Sequence, residues 1–203
     1  MKVLIATHNE HKKIEIKHFL DRIGGFEVVS LSDLGMRDEP EETGATFREN
    51  ALLKANDAMH KTGLLTIADD SGLEIDALNQ EPGVNSARYL GKDTPYPQKN
   101  EIILQRLRDE SKRSARFVCA MAVVSPLYRP VVFEGRIEGV IGHRQQGSNG
   151  FGYDPIFYPL GQGRSLAEYE LEEKNEVSHR AIALKLTLRY LEELKGREVH
   201  AEL

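Results

Sequence analysis

The stretch IADDSGLEID, residues 67–76, sets two carboxylates side by side between apolar residues, then follows them with Ser71 and Gly72. Like charges this close repel, so a cation must neutralise them or water must reach them. Residues 64–68 read as a strand ending at the aspartates, and Leu73, Ile75 and Ala77 alternate as a further strand. Asp, Ser and Gly are turn formers, so a hairpin with DDSG at its tip, or just before it, is expected. The two acids could bond to turn backbone, or could offer oxygen ligands to magnesium, which takes one or two carboxylates plus substrate phosphates.

Outward from this stretch the pattern is α/β. Val3 to Ala6 form a continuous apolar run, as in a strand buried on both faces, and Thr7-His8-Asn9 break it. Ile16, Phe19, Leu20 and Ile23 then recur at helical spacing until Gly24-Gly25. Residues 28–31 read as a second strand, followed by a polar loop with Glu39, Glu41 and Glu42. Thr46 and Glu49 form a capping box for a helix over residues 47–60 that Gly63 closes. Pro82-Gly83 and residues 94–97 read as loops, and residues 102–107 as helical. Residues 115–125 and 131–141 predict a long antiparallel ribbon, so the sheet is mixed rather than doubly wound. Ser165 and Glu168 cap a short helix, and Ser178 begins a last helix with Leu184, Leu188, Leu191 and Leu194 along one stripe.

Composition narrows the function. The 203 residues suit one domain, in at most two lobes. A net charge of −5 argues against a binder of nucleic-acid polymers or of a membrane surface, although a local basic cluster could still take a small anion. Cys119 is alone and lies in an apolar run, which reads as a buried thiol in a reducing compartment. The apolar run after Met1-Lys2 is too short for a signal peptide, and no run of about 18 apolar residues could span a membrane. A cytoplasmic protein is expected.

Five groups could carry chemistry. In THNEHKK, Asn9 is a plausible N-cap that places Lys12 in the first turn, beside free N–H groups that suit phosphate. A capped helix with a solvated lysine is the plain alternative, and no Walker loop is present. Lys54 lies on the apolar side of its helix, where it either snorkels or faces the DDSG acids. Asp69, Asp70 and the loop acids form the third group. In the fourth, Gly150-Phe151-Gly152-Tyr153-Asp154, an aromatic ring between glycines could stack on a nucleobase. In the fifth, Lys174 and His179-Arg180 set positive charge at a helix N-terminus, against the macrodipole, which points to an anionic or carbonyl-rich ligand. A salt bridge to Glu172 or Glu173 is the alternative. Together the groups describe a nucleoside triphosphate pocket.

These residues resemble the inosine triphosphate pyrophosphatase family, which hydrolyses non-standard purine nucleoside triphosphates. The likeness runs in register through THNEHK, EETGATFRENALLKA, IADDSGLEIDAL, EPGVNSARY, GFGYDPIF and EEKNEVSHRA. It implies one domain over residues 1–203, a strongly twisted mixed β-sheet with flanking helices, two lobes around a central cleft, and a homodimer. It further implies cleavage of ITP, dITP or XTP to the monophosphate and pyrophosphate with magnesium; a related pyrophosphatase acting on other modified nucleotides is the alternative. By resemblance, Thr7, His8, Asn9, Lys12 and Lys54 would touch the triphosphate. Glu42 and Asp70 would hold magnesium with support from Asp69, and Asp70 would be the general base. Ser71 would contact substrate, Phe151 would stack on the base with Gly152, Tyr153 and Asp154 lining that end, and Lys174, His179 and Arg180 would close over base and phosphate. His8 and Asn149 depart from the family pattern, where glycine is common, and are expected to tune binding.

Overall fold

The computed structural model describes residues 1–201, with side chains described for residues 1–196. The last two residues of the expected 1–203 span thus lie outside the described residues. The backbone gathers into two compact units. One comprises residues 1–70, 120–134 and the chain from residue 182 onward; the other comprises residues 71–119 and 135–181. A six-stranded sheet has the order β2-β1-β3-β4-β5-β6. Its strands are β1 (Lys2–Ile5), β2 (Glu27–Ser30), β3 (Leu65–Ile75), β4 (Ser114–Val124), β5 (Val131–Ile141) and β6 (Phe157–Pro159). β1 pairs in parallel with both β2 and β3, whereas β5 and β6 are antiparallel, so the sheet is mixed as expected.

In the first unit, α1 (Glu10–Ile23) links β1 to β2, and α2 (Phe47–Thr62) links β2 to β3. Asn9 caps α1 by accepting from the Lys12 N–H, and Gly24 ends it at φ 73°. Thr46 and Glu49 close a reciprocal capping box on α2, and Gly63 ends it in the left-handed region at φ 69°. The chain steps from β1 outward to β2, then returns past β1 to β3. Right-handed crossovers therefore place α1 and α2 on opposite faces of the sheet. The reversal makes the carboxyl end of β1 a topological switch point, where α/β sheets bind ligands. Val3, Leu4, Ile5, Ile16, Leu20 and Ile67 are buried in this unit.

The expected hairpin at DDSG does not form. β3 is one eleven-residue strand that runs through Asp69, Asp70, Ser71 and Gly72 without turning. Turn propensity is a local preference, and here it loses to strand pairing because both acids have cationic partners, described below. A second expectation also shifts: α3 spans Tyr96–Arg106 and begins inside the segment read as a loop. Pro97 lies in its first turn, where a missing N–H costs nothing.

The second unit has its own core, with Leu73, Ile75, Ile103, Phe117, Ile156 and Phe157 among its buried residues. Ser165 and Glu168 form the expected capping box, although the turn they cap is a 3-10 helix of three residues. The short α4 (Leu171–Val177) follows, capped by Glu170 and Glu173. Ser178 then accepts from the Ala181 N–H at 3.1 Å and starts α5 (His179–Ala201). The expected stripe of Leu184, Leu188, Leu191 and Leu194 is buried, as is Cys119. No helix among the described residues is long and apolar enough to cross a membrane.

Candidate active site

The first group of site residues lies at the carboxyl end of β1 and along β3. Thr7 Oγ1 accepts from the Asn9 N–H at 3.2 Å, and Asn9 Oδ1 accepts from the Lys12 N–H at 3.2 Å. This turn aims Lys12 at β3, where its Nζ lies 2.9 Å from Asp69 Oδ2. His8 is exposed and anchors through its N–H to Glu39 Oε1 at 3.1 Å.

Successive residues of a strand face opposite ways. Asp69 therefore meets Lys12 of α1, while Asp70 meets α2. Lys54 Nζ donates to Glu42 Oε1 at 2.7 Å and lies 3.8 Å from Asp70 Oδ1. Asn50 Nδ2 donates to Asp70 Oδ2 at 3.1 Å. Lys54 does not snorkel; it is 7% exposed, and Asp70 is 5% exposed. The structure thus brings Glu42, Asp70 and Lys54 together and gives Asp69 its own lysine.

The electrostatics of this group have clear causes. Burial pulls the Lys54 ammonium down, but Asp70, Asp69 and Glu42 together outweigh it and hold the group above its ordinary value. For Asp70, burial dominates: it pushes the carboxyl up, the Glu42 charge adds to it, and Lys54, Lys12 and the Asn50 amide only partly offset the rise. Lys12 and Lys54 thus face the three carboxylates of Asp69, Asp70 and Glu42.

The acids of this group suit a hard divalent cation. Glu42 and Asp70 offer only oxygen donors, and both already converge on one cation. No cluster of three or more His, Cys, Asp or Glu that could hold a metal is found among the described residues. The donor set therefore suits an ion that keeps water or substrate oxygens, as magnesium does, rather than one caged by protein.

The second group lies wholly in the other unit. Asp154 Oδ2 accepts from the Phe151 N–H at 2.9 Å and from Lys174 Nζ at 2.8 Å. Lys174 and Asp154 form a buried pair, each side chain 4% exposed. Gly150 is required here: its φ is +71°, and a Cβ would meet Asp154 Oδ2 at 2.2 Å. Lys174 Nζ lies 4.7 Å from the Phe151 ring centroid and Arg180 Cζ lies 5.5 Å from it, so two cations address one aromatic ring. Arg180 is buried, and its Nη2 donates to Ser71 Oγ at 2.9 Å. His179 stacks on Phe117 with ring centroids 4.7 Å apart. Tyr153 is buried and donates to the Ser86 carbonyl at 2.8 Å; burial pushes its phenol well up.

The alternative pairing of this region's cations with nearby acids is realised elsewhere: Glu173 is taken by Arg164 at 2.8 Å, and Lys174 by Asp154. Asn149 donates to the Tyr169 carbonyl at 3.1 Å, so this departure from the family pattern serves its loop.

Two supporting residues escaped the sequence reading. Asn100 Nδ2 donates to the Gly152 carbonyl at 3.1 Å and so holds the glycine-aromatic loop to α3. Asn50 was one more polar position in a helix. Its signal was spacing: it falls three residues after Phe47 and one turn before Lys54, on the buried face.

The chain is similar to known proteins over nearly its whole length. A family model described as the Ham1 family matches residues 3–190. A dITP/XTP pyrophosphatase from Exiguobacterium sp. is 46% identical over 197 residues, covering 97% of this chain and 100% of that protein. The Ham1 protein of Staphylococcus aureus superposes with a TM-score of 0.86 at 38% identity, covering 95% of this chain and 99% of that one. A HAM1 protein from Coxiella burnetii also gives a TM-score of 0.86, at 40% identity and the same coverage.

Proposed function

The chain belongs to the Ham1 family, and from that premise we propose that it hydrolyses dITP, ITP and XTP to the monophosphate and pyrophosphate. The observation that carries the reading is the convergence of Glu42, Asp70 and Lys54, with Lys12 on Asp69: oxygen donors for a metal beside lysines for phosphate.

In this reading Lys12 and Lys54, with the turn at Thr7, His8 and Asn9, take the triphosphate. Glu42 and Asp70 hold the metal, with Asp69 fixing Lys12 behind them. Magnesium is the proposed ion, and when bound it supplies positive charge to the phosphoryl oxygens. Asp70 accepts the proton of the attacking water as oxygen bonds to the α-phosphorus and the α–β anhydride bond breaks. A carboxyl pushed up by burial is suited to that role. Lys12 and Lys54 stabilise charge on the departing pyrophosphate.

Phe151 is the proposed stacking platform for the base, held by Asp154 and flanked by Lys174 and Arg180. Hypoxanthine and xanthine carry a 6-oxo acceptor where adenine carries an amino donor. A buried donor such as Arg180, oriented by Ser71, would face an acceptor in hypoxanthine or xanthine but another donor in adenine, and opposed buried donors are costly. By the resemblance the protein is also proposed to work as a cytoplasmic homodimer.

The test is a substrate panel of ITP, dITP, XTP, ATP, GTP and dUTP, with the released phosphate identified. We expect pyrophosphate rather than orthophosphate, and kcat/KM for ITP and XTP at least an order of magnitude above ATP and GTP, about 1.4 kcal/mol of discrimination. A preference for dUTP would favour the related pyrophosphatase instead. Phe151→Ala is expected to raise KM for ITP about 10-fold with little change in kcat, because stacking contributes about 1–3 kcal/mol to binding in ground and transition states alike. An unchanged KM would remove Phe151 from the base site.

A further inference from the structure

Asn50 is fully buried, and both ends of its amide are occupied. Oδ1 accepts from the Gly44 N–H at 2.8 Å, and Nδ2 donates to Asp70 Oδ2 at 3.1 Å. The orientation is forced. Turning the amide over would set an N–H₂ against the Gly44 donor and a carbonyl oxygen against a carboxylate. Gly44 leaves room for this contact and for the start of α2, since a Cβ there would come within 2.6 Å of Asn50 Oδ1 and 2.7 Å of Glu49 Cβ. Gly44 lies two residues after Glu42, so one side chain ties the segment carrying Glu42 to the carboxylate of Asp70.

We infer that Asn50 is a positioning residue that sets the plane of the Asp70 carboxylate and its spacing from Glu42. The inference rests on the reading of Asp70 as general base. Asn50 and Lys54 lie one helical turn apart on α2 and address different oxygens of Asp70: the amide takes Oδ2, and the ammonium lies nearer Oδ1. A neutral donor holds the carboxylate without cancelling its charge, which a second lysine at position 50 would do. The two oxygens are thereby made inequivalent, Oδ2 held by the amide and Oδ1 beside the ammonium.

Two variants separate positioning from a merely structural link. Asn50→Asp keeps an acceptor for Gly44 but replaces the donor to Asp70 with a second carboxylate. Asn50→Leu removes both contacts at similar volume. We expect kcat for ITP with magnesium to fall about 100-fold in Asn50→Asp, with KM within about threefold, since misplacing a reacting group costs on that order. Asn50→Leu should behave alike. If the link to Gly44 were all that mattered, Asn50→Asp would keep its turnover, and that result would overturn the inference. A second readout needs neither activity nor variant folding at position 50. In ¹⁵N-labelled wild-type protein without metal or substrate, the Asn50 side-chain amide protons should exchange slowly, and Asp70→Ala should release them. Fast exchange in the wild type would equally overturn the inference. Wild-type protein that fails to hydrolyse ITP or XTP would instead defeat the functional reading, while the exchange measurement would still judge the Asn50–Asp70 contact.

Discussion

Asp70→Asn is expected to lower kcat for ITP about 1,000-fold while the melting temperature changes far less than in Lys54→Met. The side chain keeps its shape and loses its charge, so it no longer accepts a proton from water; general-base catalysis contributes roughly 10²–10⁴ in rate. Two effects on stability oppose each other: burial pushes the Asp70 carboxyl up, so losing its charge removes a cost, while Lys54 loses one carboxylate and keeps Glu42 at 2.7 Å. A neutral amide removes that cost and can still accept from Asn50. Single-turnover assays with thermal melts of the same preparation give the two readouts together. Turnover above a tenth of wild type would take Asp70 out of the reaction.

Lys54→Met has the largest effect on stability. Methionine approximates the buried stem but leaves Glu42 and Asp70 without the ammonium that lies 2.7 and 3.8 Å from them. Breaking a buried pair costs about 3–5 kcal/mol because the surviving charge stays in place. Glu42 retains partial access to solvent, its side chain being 22% exposed, so the lower end applies. For a chain of this size about 3 kcal/mol corresponds to a fall of roughly 6–12 °C in melting temperature. Turnover should drop by about 100-fold or more, the scale of losing one donor to a developing oxyanion. If Glu42 and Asp70 hold magnesium as proposed, excess magnesium should restore part of the melting temperature, because a ligand that binds the folded state stabilises it. An unchanged melting temperature would show that Glu42 and Asp70 do not depend on Lys54.

The comparison of sequence with structure follows from the range of each interaction. The caps at Asn9, Thr46 and Gly63 involve neighbours within four residues, and each was legible. The leucine stripe of α5 was legible because helical periodicity is a local pattern. Lys54 stood out as a charge on an apolar face, and the structure buries it. The continuity of β3 was not legible. Asp, Ser and Gly argue for a turn by propensity, and the partners that overrule them, Lys12, Asn50 and Lys54, come from two earlier helices. The sharing of Asp154 Oδ2 between Lys174 and the Phe151 N–H was hidden likewise: each residue was noticed, but only tertiary packing joins them.

The passage of β3 straight through its two aspartates fixes the parity of that segment. One residue gained or lost between the pairing of Ile67 with Ile5 and Asp69 would exchange the directions of both acids, turning Asp69 toward α2 and Asp70 toward α1. A point substitution there leaves the alternation of side chains intact, but an odd-numbered insertion or deletion does not. Length variation among functional variants should therefore avoid this strand, and libraries built to diversify this enzyme should hold it to its present count.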